Sequence, residues 1–169
     1  MKPATRATPY LAAIMLFAVS GCGGGSGESA DTAAVDEDSA EFAAMQYRQG
    51  LMQVLAFKGT IVRDMAEGTM EADAALFAES AADAAAVAGM IVEGFQGLEA
   101  SSTDALPGTA ALPDIWNNWD DFMQKAADLA AGADAVSAAA NEPGFAVMAD
   151  SAEPLVTACG NCHRSYRQL

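Results

Sequence analysis

Apolar residues fall at helical spacing in four stretches of the chain. Between about Ser39 and Glu67, Met45, Met52, Leu55, Val62 and Met65 repeat at intervals of seven and three, which puts them on one stripe of a helix that stops at Gly68. From about Glu71 to Phe95, Phe77, Ala84, Ala88, Ile91 and Phe95 share a face. Gln96 to Ala111 reads as a loop, marked by Ser101-Ser102 and Pro107-Gly108. Pro113 suits the first turn of a third helix, where its missing N–H is no loss. Ile115, Trp119, Phe122, Ala126, Leu129, Ala133 and Val136 keep the rhythm until Asn141-Glu142-Pro143-Gly144. A fourth helix is expected from about Phe145 to Arg167, with Met148, Leu155, Cys159, Cys162 and Tyr166 as its stripe. Pro154 lies inside it and either kinks it or marks a late start. Short connections after the first and third stretches predict antiparallel hairpins. The expected fold class is all-α, one antiparallel four-helix bundle over residues 39–169.

Composition narrows the alternatives. The chain holds 40 alanines, while Val, Ile and Thr are sparse and aromatics make up 7%. Alanine is the best helix former and strands favour β-branched and aromatic residues, so an all-β fold is excluded. A length of 169 residues suits one domain. The 8 basic and 23 acidic side chains give a net charge of −15, which repels nucleic-acid phosphates. The one histidine excludes any site that needs two histidine ligands.

The N-terminus reads as a leader rather than as part of the fold. Lys2 and Arg6 precede an apolar run from Tyr10 to Val19, too short to span a bilayer. Val19-Ser20-Gly21-Cys22 resembles a bacterial lipobox, in which residues 1–21 are a signal peptide and Cys22 becomes acylated. The alternative is an ordinary cleavage near Gly21. Two or three acyl chains at ~0.8 kcal/mol per buried methylene anchor firmly, where one is marginal. Residues 22–38 then form a tether, flexible through Gly23-Gly24-Gly25-Ser26-Gly27 and acidic after Glu28. The membrane contact expected is this lipid anchor alone, since an acidic domain does not lie on anionic lipid.

The chemistry sits near the C-terminus. Cys159-Gly160-Asn161-Cys162-His163 is the C-x-x-C-H pattern of c-type haem attachment. Cysteines three apart share a helix face, so both thiols can reach the two vinyl groups of one porphyrin, and the following histidine can reach the iron. A disulfide redox motif wants a βαβ setting, and a zinc site would lack its fourth ligand. Haem c, one and covalent, is the cofactor expected.

This C-x-x-C-H at the end of a four-helix bundle resembles the cytochrome c prime family, the class II cytochromes c. Tyr47-Arg48-Gln49-Gly50-Leu51-Met52 is similar to the family's first-helix Arg-Gln segment, and Pro113-Asp114-Ile115-Trp116 to its third-helix opening. Cys159-x-x-Cys162-His163-x-x-x-Arg167 is similar to its haem helix. The likeness runs from about Glu41 to Leu169; the lipobox, the tether and Pro154 depart from it.

The resemblance implies roles. His163 would be the proximal iron ligand, with Arg167 beside it; a plain solvated C-terminal cation is the other reading of Arg167. Arg48 would lie near a haem propionate with Gln49 next to it; a surface ion pair is the alternative. Met52 matches the position facing the distal side of the iron. In the gas-binding branch that residue is apolar and leaves an open sixth site; in low-spin relatives a methionine there binds iron. The first case implies a protein that binds nitric oxide and carbon monoxide. The second implies an electron carrier that docks on a basic redox partner. Family members are often homodimers through their first two helices. No acid–base or nucleophile constellation appears beyond the haem motif, so enzymatic turnover is not expected.

Overall fold

The structure, a computed structural model, describes residues 35–169. The expected signal peptide, Cys22 and most of the tether lie outside the described residues. The last tether residues make a turn, in which the amide of Ser39 donates to the Asp36 carbonyl at 3.2 Å.

Five helices follow: α1 (Ala40–Ala66), α2 (Ala74–Ala88), α3 (Asp114–Asn117), α4 (Trp119–Ala140) and α5 (Glu153–Tyr166). Helix α1 begins where the Ser39 hydroxyl accepts the Phe42 amide at 3.1 Å. Helix α2 begins where one Asp73 carboxylate oxygen accepts the amides of Ala75 and Leu76 at 2.9 and 3.1 Å. Both caps satisfy N–H groups that the helix itself leaves unpaired. Gly68, at φ +74°, ends the α1 turn in a left-handed conformation that favours glycine.

The four long helices form an antiparallel bundle. Lys58 meets Asp83 and Arg48 meets Gly94, so α1 and α2 run in opposite directions. The Ser137 hydroxyl donates to the Ala78 carbonyl across α2 and α4. Gly132 meets Pro154 and Asp121 meets Tyr166 across α4 and α5. Helix α5 touches α1 and closes the ring. The expected stripes are the core: Val62, Phe77, Ala81, Ala84, Ile115, Phe122, Ala133 and Leu155 are almost fully buried. Each large one contributes about 1.5–3 kcal/mol by leaving water.

Three boundaries differ from the sequence reading. Helix α2 stops at Ala88 rather than at Phe95, because Gly89 is a poor helix former. The chain continues through 3₁₀ turns at Val92–Gly94 and Glu99–Ser101, and Ile91 and Phe95 still reach the core. The third stretch is not one helix. It breaks at Asn118, whose side-chain amide donates to the Asp114 carbonyl at 3.1 Å and competes with the helical pattern. The fourth starts late, at Glu153, with Pro154 in its first turn. Residues 145–152 are therefore not helical, and Met148, expected on the stripe, is 61% exposed. Phe145 instead packs against Phe77, with ring centroids 5.7 Å apart.

Candidate functional site

Helix α5 presents Cys159 and Cys162 on one face, both half-buried against the core and neither in a disulfide. Burial, the leading cause at both, pushes the two thiols up, so they stay protonated at neutral pH. His163 follows on the same helix. Burial first, and the Arg167 charge second, hold it below the ordinary histidine value, so its imidazole is neutral near pH 7. A neutral imidazole is the form that binds a metal. Arg167 itself is exposed and lies just past the helix, where its amide donates to the His163 carbonyl at 3.2 Å.

Beyond Tyr166 the chain is pinned. Ala111 and Arg167 form an antiparallel bridge, the Leu112 amide donates to the Tyr166 carbonyl at 3.0 Å, and the Gln168 amide donates to the Ala110 carbonyl at 2.9 Å. The loop after α2 thus holds the end of the C-x-x-C-H helix.

The same loop receives α1. Arg48, only 4% exposed, donates to the Gly94 carbonyl at 2.9 Å, to the Ser101 hydroxyl at 2.8 Å, to the Ser101 carbonyl at 3.1 Å and to the Thr109 hydroxyl at 3.5 Å. Its guanidinium also lies 4.7 Å above the Phe95 ring. Burial pulls its pKa down to about 10, so it remains charged at neutral pH. Gln49 donates to the Gly108 carbonyl at 3.1 Å. The close fit requires Gly94, where an added Cβ would lie 2.9 Å from the Arg48 Cγ. Met52, one turn after Arg48, is half-buried against the core. The surface ion pair weighed for Arg48 does not form: among the described residues every acceptor it has is neutral.

Sequence reasoning missed Ser101, Ser102 and Thr109 as parts of this region. The two serines looked like loop markers, yet both are buried. The available signal was Arg48 itself, a cation among apolar helix positions that needs acceptors.

These residues fit haem c. Two protonated thiols share a helix face, a neutral imidazole follows them, and a buried guanidinium lacks an anion. Among the described residues no group of three His, Cys, Asp or Glu side chains gathers to hold a bare metal ion. Fold and donor set define a single-haem c-type cytochrome on a four-helix bundle.

Comparison with known proteins agrees. The family model described as Cytochrome C' matches residues 43–167, and the chain belongs to the cytochrome c' family. It is 32% identical over 122 residues to cytochrome c-554 of Cereibacter sphaeroides, covering 72% of this chain and 90% of that protein. It is 30% identical over 131 residues to cytochrome c' of Halomonas halodenitrificans, covering 73% of this chain and 95% of that one. Among solved structures, cytochrome c' from Rhodobacter spheriodes superposes with a TM-score of 0.68 at 25% identity, over 76% of this chain and 98% of that one. The cofactor of this chain is haem c.

Proposed function

We propose that this cytochrome takes small diatomic gases, nitric oxide and carbon monoxide, at an open apolar sixth position of its haem iron. The observation that carries the reading is the distribution of ligands. The single histidine of the chain lies on α5, while the inward stripe of α1 around Arg48 supplies aliphatic side chains and the thioethers of Met45, Met65 and the half-buried Met52, with no imidazole among them. The haem supplies an iron that binds a gas or carries one electron. The chain does the rest: Cys159 and Cys162 would hold the group covalently and His163 would ligate its iron, the imidazole being kept neutral by burial first and by the Arg167 charge second. Arg48 would neutralise a propionate, with Gln49 beside it as a neutral amide donor. An apolar pocket without a hydrogen-bond donor favours carbon monoxide and nitric oxide over dioxygen.

One observation favours a second reading. The Met52 side chain is half-buried against the core that Cys159 and Cys162 also touch, within a stripe that faces inward. A thioether there is a competent axial ligand, and the protein would then be a low-spin electron carrier whose acidic surface docks on a basic redox partner. Optical spectra of the ferric and ferrous protein, with and without carbon monoxide, decide between the two. An open site gives a high-spin spectrum that Met52→Leu barely changes. A ligating Met52 gives a low-spin spectrum with a methionine–iron charge-transfer band, which Met52→Leu converts to high-spin.

The cell-envelope setting belongs to the same proposal. Acylation of Cys22 would leave the domain tethered to a membrane and facing the periplasm; among the described residues no helix is long and apolar enough to cross one. Cys22→Ser should release the domain into the soluble fraction, and an unmodified Cys22 at the mature N-terminus would refute the anchor. A second copy of the chain would cover the outer face of α1 and α2, where Val54, Phe57 and Leu76 are exposed. Sedimentation of the protein and of Phe57→Glu tests that pairing.

A further inference from the structure

Arg48 carries five N–H groups, and the structure accounts for four of them. Nη1 donates to the Gly94 carbonyl and the Ser101 hydroxyl; Nη2 donates to the Ser101 carbonyl and the Thr109 hydroxyl. Only Nε–H has no acceptor among the described residues. The cradle is built rather than incidental. Ser101 is fully buried, and its hydroxyl accepts from Arg48 while donating to the Leu98 carbonyl at 2.6 Å. The Thr109 hydroxyl accepts from Arg48 and also from the Ala111 amide at 3.2 Å. Ala111 is the residue bridged to Arg167 at the end of the C-x-x-C-H helix.

We propose that Ser101 and Thr109 are positioning residues for the haem. They hold the Arg48 guanidinium so that one donor, Nε–H, remains for a haem propionate, and Thr109 ties that guanidinium to the loop segment whose bridge at Ala111 pins the end of α5. Two physical points support this. A buried cation bonded only to neutral acceptors is incompletely compensated, and a carboxylate is the group that compensates it. A guanidinium with four bonds fixed cannot rotate, so its fifth donor points one way. The inference rests on haem c being present and not on whether the sixth position is open.

The test is a double-mutant cycle on the haem-loaded protein, read as the midpoint potential together with the ferric electron-paramagnetic-resonance spectrum. Arg48→Gln removes a positive charge that favours ferrous iron, so it lowers the potential. Ser101→Ala is expected to lower it in the same direction by a smaller amount, without changing the spin state, and to add nothing in the Arg48→Gln background. Ser101→Thr, which keeps the hydroxyl, should restore the parent value. Thr109→Val, nearly isosteric and only partly buried, gives an independent second variant with the same expected pattern, should Ser101→Ala fail to accumulate. An equal shift in both backgrounds, or no shift from either hydroxyl variant while Arg48→Gln shifts, overturns the proposal. So does an unchanged potential in Arg48→Gln. Met52→Leu, which tests the sixth position, reads out as a change of spin state, so failure of one reading is distinguishable from failure of the other.

Discussion

Gly132 on α4 and Pro154 at the start of α5 are in backbone contact: a Cβ placed on Gly132 would lie 2.8 Å from the Pro154 carbonyl oxygen. That oxygen belongs to the main chain of the haem-bearing helix, so it cannot swing aside as a side chain would. Gly132→Ala gains about 1 kcal/mol of helix propensity but overpacks the α4–α5 contact at about 1–3 kcal/mol. The expected net effect is a lower melting temperature of the haem-loaded protein. Gly59→Ala on α1, where a Cβ meets nothing within 4 Å, is the control and should raise it. Thermal melts followed by circular dichroism at ~222 nm measure both variants side by side.

Haem attachment should be covalent through the two cysteines. Cys159→Ala combined with Cys162→Ala should abolish haem retention after acid–acetone extraction. Loss of haem from the parent protein under that treatment would contradict the c-type assignment. A haem held by these cysteines would fill space between the helix stripes, so the apoprotein should melt well below the holoprotein. A cooperative apoprotein melt at the holoprotein's temperature would contradict that dependence.

The bundle was legible in the sequence because burial follows periodicity even where the backbone does not. Ile91 and Phe95 are core residues as their spacing implies, although 3₁₀ turns and not a helix deliver them. The C-x-x-C-H motif was legible because its spacing is local. The cradle around Arg48 was not. Ser101 and Thr109 lie 53 and 61 residues away from it along the chain, and nothing in their own neighbourhood separates a buried serine from a loop serine. The break at Asn118 was equally hidden, since it turns on one side chain finding a carbonyl four residues back.

Asp73 caps α2 by accepting two amides with one carboxylate oxygen. Asp73→Ala leaves both without that acceptor and should cost about 1 kcal/mol, typical of such a cap. Asp73→Ser should recover most of the loss. Urea titrations of the haem-loaded variants give the difference directly.

Tyr166 and Asp121 couple the haem helix to α4, and their bond sets two limbs of the pH dependence. The phenol donates to the Asp121 carboxylate at 2.5 Å, with Lys125 at 3.5 Å from the same oxygen. That hydrogen bond is the leading cause that lowers Asp121, with the Lys125 charge adding to it; burial leads in raising Tyr166, followed by Asp121. For Asp121 the folded pKa lies below the unfolded one. Its contribution is therefore present above the ordinary aspartate value and is lost as pH falls through the lowered one. For Tyr166 the folded pKa lies above the unfolded one. The unfolded chain loses the phenol proton first, so stability falls as pH rises past the ordinary tyrosine value. Tyr166→Phe should flatten both limbs. Asp121→Asn should flatten the acid limb and leave much of the alkaline one, because burial and not Asp121 is the larger cause at Tyr166. Denaturant midpoints of the three proteins across acid, neutral and alkaline pH test this. An acid limb equally steep in the parent and in Tyr166→Phe would show that the phenol does not hold Asp121 in its charged form.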